Sequence, residues 1–145
     1  VFKYLTDPAK LDEQLKPHIK VQWQNPGIEL QTEAECLFLM TRFGVEQKVR
    51  YRVEKFVLGN QLVYRQTEGF FSEWTHSIKF EDHGLNETLV TDLVDYDLPF
   101  GLIGKVMDDL WVRSDLKKML KSRLNKAKNL FTKQDPAFLG HPASP

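Results

Sequence analysis

The sequence predicts an α+β domain: a curved antiparallel β-sheet wrapped around one long C-terminal α-helix, with a short N-terminal helix. Three observations carry this expectation. Residues 18–98 fall into runs of period-two alternation separated by turn signals, as half-buried antiparallel strands do. After Pro99 the period changes, and Leu102, Val106, Leu110, Leu116, Leu120, Leu124, Ala127 and Phe131 recur at helical spacing. A sheet that is apolar on one face needs a cover, and that helix is the element able to supply it.

The elements follow in order. Residues 1–6 read as a helix end or a turn. Asp7-Pro8 offers an N-cap followed by proline at the first helical position, and Leu11 and Leu15 extend a short helix to the break at Pro17. Ile19, Val21 and Trp23 alternate with polar neighbours, which predicts a strand over 18–24. Asn25-Pro26-Gly27 is a turn. Residues 28–41 then alternate again, with Ile28, Leu30, Thr32, Ala34, Cys36, Phe38 and Met40 on the more apolar face. A helix competes over 31–40 on propensity, but the flanking turns and neighbouring strands favour a strand.

Gly44 opens a further strand, with Val45, Val49, Tyr51, Val53 and Val57 facing one way and a charged row the other. Gly59-Asn60 predicts a hairpin turn, and Leu62, Tyr64 and Gln66 share a face of the next strand. Residues 69–101 form the last pair of strands. Phe70, Ser72, Trp74, His76, Ile78 and Phe80 share one face; Thr88, Val90, Asp92, Val94, Tyr96 and Leu98 share the other strand's face. Pairing Phe80 with Thr88 sets His76 opposite Asp92 within an apolar wall. The terminal helix is rich in Lys and Arg, Ser114 offers a break within it, and the chain divides into one domain over 1–135 and a tail over 136–145.

Bulk composition narrows the function. The chain has 145 residues, 41% hydrophobic and 28% charged, enough for one globular core. Its 20 basic and 20 acidic residues balance, so no global charge invites nucleic acid. Cys36 is the one cysteine, which excludes an internal disulfide. No metal-ligand spacing, phosphate loop or nucleophile elbow occurs, so neither a metal nor a cofactor is expected. No apolar run reaches the roughly 20 residues of a membrane span. Stable membrane insertion is not expected, and the default compartment is the cytoplasm.

The patterns W-x-H-x-I-x-F at Trp74 and T-x-V-x-D-x-V-x-Y-x-L-P-F-G at Thr88, followed by L-I-G before a long helix, resemble the SRPBCC superfamily. These are the START-related, pollen-allergen-like helix-grip proteins, and the similarity is to their bacterial polyketide-cyclase-like or ligand-binding branch. It is most specific over residues 62–123, at Leu62, Gln66, Gly69, Trp74, His76, Asp92, Tyr96, Pro99, Gly101 and Arg123. The resemblance implies a cavity between sheet and helix. It also implies a first strand beside residues 88–98, which is either absent here or upstream of Val1; an open edge there suits a monomer or a homodimer. Phe70 and Tyr64 stand where close relatives carry proline and an acidic residue.

Two kinds of chemistry follow. His76 and Asp92 form either a catalytic dyad or, on the favoured reading, a structural pair that satisfies a buried imidazole. Tyr51, Tyr64, Gln66, Trp74, His76, Val94 and Tyr96 are the expected ligand-binding wall. The basic helix reads as a solvated outer face matched to the helix dipole. The leading expectation is a module that binds a hydrophobic or aromatic small molecule such as a lipid, isoprenoid or polyketide-like compound. The alternatives are a cyclase or dehydratase using His76 and a tyrosine hydroxyl, and an interaction protein with a filled core.

Overall fold

The computed structural model describes residues 1–99 and 105–132, with only the helical backbone described for 105–109. Phe100, Gly101, Leu102 and the expected tail over 136–145 lie outside the described residues. Helix α1 (Phe2–Thr6) leads through a 3-10 turn (Pro8–Lys10) into helix α2 (Leu11–Leu15). The Asp7 carboxylate accepts the Ala9 amide at 2.9 Å, as the Asp-Pro start predicts. Six strands follow: β1 (Lys20–Trp23), β2 (Glu35–Arg42), β3 (Val45–Val57), β4 (Gln61–Glu68), β5 (Glu73–Asp82) and β6 (Thr88–Asp97). They pair antiparallel in sequence order, and β6 has no strand on its outer side among the described residues. Helix α3 (Lys105–Thr132) is the cover. It runs unbroken through Ser114, so the expected break there does not occur.

Local chemistry corrects several expected boundaries. β2 begins at Glu35, because Glu33 takes a left-handed φ of 73° and the Ala34 amide closes a turn on the Gln31 carbonyl. Residues 28–34 therefore alternate in composition without being a strand, and Ile28 is exposed. β5 begins at Glu73, later than expected, because residues 69–72 form a turn. The Gln66 side chain curls over that turn and donates to the Phe71 carbonyl at 2.8 Å. A Cβ at Gly69 would fall 2.5 Å from the Gln66 amide, so glycine makes this curl possible. Phe70 is consequently displaced from the inward face and is half exposed.

Two register corrections matter more. β3 carries a bulge between Val53 and Lys55, which switches its faces: Val53 and Phe56 point inward, and Val57 points out. The β5–β6 pairing sets Phe80 opposite Val90, Ile78 opposite Asp92, His76 opposite Val94 and Trp74 opposite Tyr96. That is two residues away from the expected register, and the loop shortens to 83–87. A two-residue slip keeps every side chain on its face. His76 and Asp92 therefore still meet, on a diagonal.

The core lies in two clusters under α3. One is built from Leu15, Val21, Cys36, Phe38, Trp74, Leu116 and Met119, the other from Leu5, Val53, Leu62, Ile78, Phe80 and Ala127. Ile78 has no exposed surface, a burial that stabilises by about 2–3 kcal/mol. α2 packs on α3, where the Lys126 ammonium donates to the carbonyls of Glu13 (2.9 Å), Gln14 (3.4 Å) and Lys16. Those are the open carbonyls of a helix end.

The bulge predicts unequal costs for neighbours. Phe56→Ala should lower the unfolding free energy by about 2 kcal/mol, and Val57→Ala by under about 0.5 kcal/mol. Urea denaturation of both variants measures this, and equal costs would contradict the face switch.

Candidate functional site

Arg123, at the centre of α3, has only 1% of its surface exposed. It falls there because Leu116, Met119, Arg123 and Ala127 follow one another at three- and four-residue steps, on one helix face. Its Nη1 donates to Asp92 Oδ2 at 2.7 Å, its Nε to Gln14 Oε1 at 2.8 Å and its Nη2 to the Leu5 carbonyl at 2.7 Å. Gln14 in turn donates to the Tyr4 carbonyl. One guanidinium thus joins α1, α2, α3 and β6.

On the sheet side, Asp92 Oδ1 meets His76 Nε2, and His76 Nδ1 meets the Tyr64 hydroxyl. Tyr64 and His76 are cross-strand partners on β4 and β5. Donor and acceptor supply then assign the protons. A carboxylate only accepts, so His76 Nε2–H donates to Asp92; Nδ1 is left to accept from Tyr64 O–H. The row Tyr64–His76–Asp92–Arg123 is fully satisfied, with one negative and one positive charge.

Titration follows from this packing. Burial holds His76 below its ordinary 6.5, helped by the nearby Arg123, although Asp92 pulls the other way. Burial alone would raise Asp92, but its bonds to His76 and Arg123 win and hold it below the usual carboxylate range. Burial pushes Tyr64 and Tyr51 well above 10, so both keep their hydroxyl protons at neutral pH. The Cys36 thiol is also pushed up by burial and is no nucleophile.

Beside this row lies a cavity of about 360 Å³ between the sheet, α2 and α3. Tyr51, Tyr64, Gln66, Trp74 and His76 all reach its wall. Val94 and Tyr96 pack in the adjoining cluster and are not on that wall. Asp92 stands behind His76, with its side chain fully enclosed. The rest of the lining is mostly apolar and includes Leu11, Met40, Val49, Leu116 and Met119. Rings run along one side, with Tyr51 and Tyr64 centred 4.7 Å apart and Phe71 and Trp74 also 4.7 Å apart. At the mouth, Arg42 of β2 pairs with Asp115 of α3. Among the described residues no three His, Cys, Asp or Glu side chains are grouped to hold a metal.

Arg123 corrects the reading of the basic helix as wholly a solvated face. Its charge suggested the surface, while its position on the Leu116–Ala127 stripe is the signal that marks it as buried. Gln14 and the Arg42–Asp115 pair had no such signal, because each depends on which elements meet.

No family model matches the chain, and no curated protein matches it in sequence. Among solved structures, it is similar to the crystal structure of TTHA0849 from Thermus thermophilus. The TM-score is 0.68 at 15% identity, covering 91% of this chain and 87% of that one. The likeness is one of fold.

Because the folded chain holds a proton on His76 less tightly than the unfolded chain does, protonation favours unfolding. The stabilising contribution is complete above about pH 6.5 and is lost as pH falls through the lower, folded value. Stability should therefore decline as pH falls below about 6.5, and His76→Gln should flatten that decline. Denaturation midpoints across this range test it, and an unchanged slope in the variant would contradict the assignment.

Proposed function

We propose that this protein binds one hydrophobic or aromatic small molecule, of the lipid, isoprenoid or polyketide-like kind, in the cavity between sheet and α3. We further place it in the ligand-binding branch of the SRPBCC superfamily, on the motifs around Trp74 and Asp92 and a fold similar to that of TTHA0849. The observation that carries the binding reading is the cavity. At about 360 Å³ it lies within the range of small-molecule sites, about 300–1,000 Å³. Its wall combines closely packed, tilted rings with a few polar groups. The Tyr51 hydroxyl makes no hydrogen bond among the described residues and remains protonated, so it is available to a ligand oxygen.

The same geometry bears on the catalytic alternative. A cyclase or dehydratase needs a group that exchanges a proton with its substrate. Both His76 nitrogens are engaged, so a proton would have to pass through Tyr64. This supports binding over turnover, with the polar row as framework.

Native mass spectrometry of protein purified from its own host should show a co-purifying small molecule. Emptied protein should bind the apolar fluorophore N-phenyl-1-naphthylamine saturably. Met40→Trp, which fills the cavity, should weaken that binding at least about tenfold while the variant remains folded. Absence of saturable binding, or equal binding by a folded variant, would overturn the reading.

A further inference from the structure

The cavity has two unlike ends, and β3 marks the depth between them. Val45, Gln47, Val49 and Tyr51 line it in turn along that strand. At about 3.3 Å per residue, Tyr51 lies about 20 Å further along β3 than Val45. The Val45 end is the mouth, where Phe43 is 74% exposed and Arg42 meets Asp115. The Tyr51 end is closed. Tyr51, Tyr64 and Arg123 also bound a chamber of only about 40 Å³ on the side of Val53 and Leu62, so these side chains form the partition between the two spaces.

Hydrogen-bonding capacity at the closed end is unbalanced. Tyr64 donates its proton to His76, and both His76 nitrogens are engaged. The Arg123 charge is matched by Asp92. That leaves the Tyr51 hydroxyl, which keeps its proton and has no partner among the described residues. Trp74, two strands away on the same wall, adds a buried Nε1–H that also has no partner among the described residues. Gln66, the cross-strand partner of Tyr51, is committed elsewhere: its amide donates to the Phe71 carbonyl and packs against Gly69.

An indole N–H only donates, and buried donors require acceptors. A ligand hydroxyl would bring a proton of its own. A carbonyl brings acceptor capacity alone, which is what Tyr51 and Trp74 leave unmet. A carboxylate does not suit this end, because no unmatched cation lines it and stripping water from an ionised group costs far more than stripping a carbonyl.

We propose that the cavity takes a flat apolar molecule with a neutral carbonyl at the end that enters first, and that the Tyr51 hydroxyl donates to the carbonyl oxygen. Met40, Val49 and the Phe71 and Trp74 rings hold the apolar body. Tyr51 is then a specificity-determining residue: the body supplies most of the affinity, and the hydroxyl selects which end goes in. This names the ligand class of the site and rests on the binding reading above.

Displacement of N-phenyl-1-naphthylamine by 2-acetylnaphthalene, by its isostere 2-ethylnaphthalene and by 2-naphthoate tests the proposal. The ketone is the better hydrated of the first two, so a wall without a free donor would prefer the ethyl compound. The protein should instead bind the ketone at least as tightly, and 2-naphthoate at least about tenfold more weakly than the ketone. Tyr51→Phe should lower the ketone-to-ethyl affinity ratio about fivefold. Its Tm without ligand should be unchanged or raised, since the lost hydroxyl has no partner, whereas Tyr64→Phe, which loses the bond to His76, should lower Tm. An ethyl preference in the unaltered protein, an unchanged ratio in Tyr51→Phe, or equal binding of 2-naphthoate would overturn the carbonyl assignment while leaving the cavity a binding site. Failure of all three compounds to displace a bound fluorophore would also overturn it. Failure of the fluorophore itself to bind would overturn the binding reading, and this one with it.

Discussion

A guanidinium and a carboxylate removed from water must find each other. In this protein that requirement falls on Arg123 and Asp92, whose side chains are almost wholly enclosed. Either charge alone in that position would cost several kcal/mol, so the helix and the sheet are held in the one arrangement that joins them. Two further Arg123 donors meet Gln14 and the Leu5 carbonyl, which extends the constraint to the N-terminal helices. The sheet could in principle slide beneath α3 on apolar contacts alone. The ion pair removes that freedom, because hydrophobic burial is non-directional and a charge-assisted hydrogen-bond network is not.

The constraint also explains how polar and apolar functions are divided. The row from Tyr64 to Arg123 lies between the two core clusters and satisfies itself. The cavity opens on one side of it, where the wall is rings and aliphatic chains and the Tyr51 hydroxyl is uncommitted. A polar network complete without a ligand leaves His76 as part of the frame. It leaves selectivity to cavity shape and to a few hydroxyl and amide groups, as is usual for sites holding apolar molecules.

How much of this was legible in the residues depends on which forces set each feature. Alternation located β3 to β6, because one solvated face leaves a period-two record. The His76–Asp92 contact was legible even with the register misplaced, since a slip of two residues preserves the face. The bulge after Val53 was not legible: a single extra residue leaves the local pattern intact and reveals itself only through the partner strand. Residues 28–34 show the opposite failure, in which apolar alternation continues through a turn that Glu33 imposes. Arg123 was placed among the family-like positions, but its role was hidden. A cation on a lysine-rich helix reads as surface until its spacing from Leu116 and Ala127 is weighed against its charge.

The central claim is that Arg123 and Asp92 act as one unit. A double-mutant cycle with Arg123→Met, Asp92→Leu and their combination, followed by urea denaturation, measures it directly. Each single replacement should cost about 3–5 kcal/mol by leaving a buried charge, and the double replacement should cost far less than their sum, a coupling of at least about 2 kcal/mol. Additive costs would contradict the claim and reduce the pair to two independent contacts.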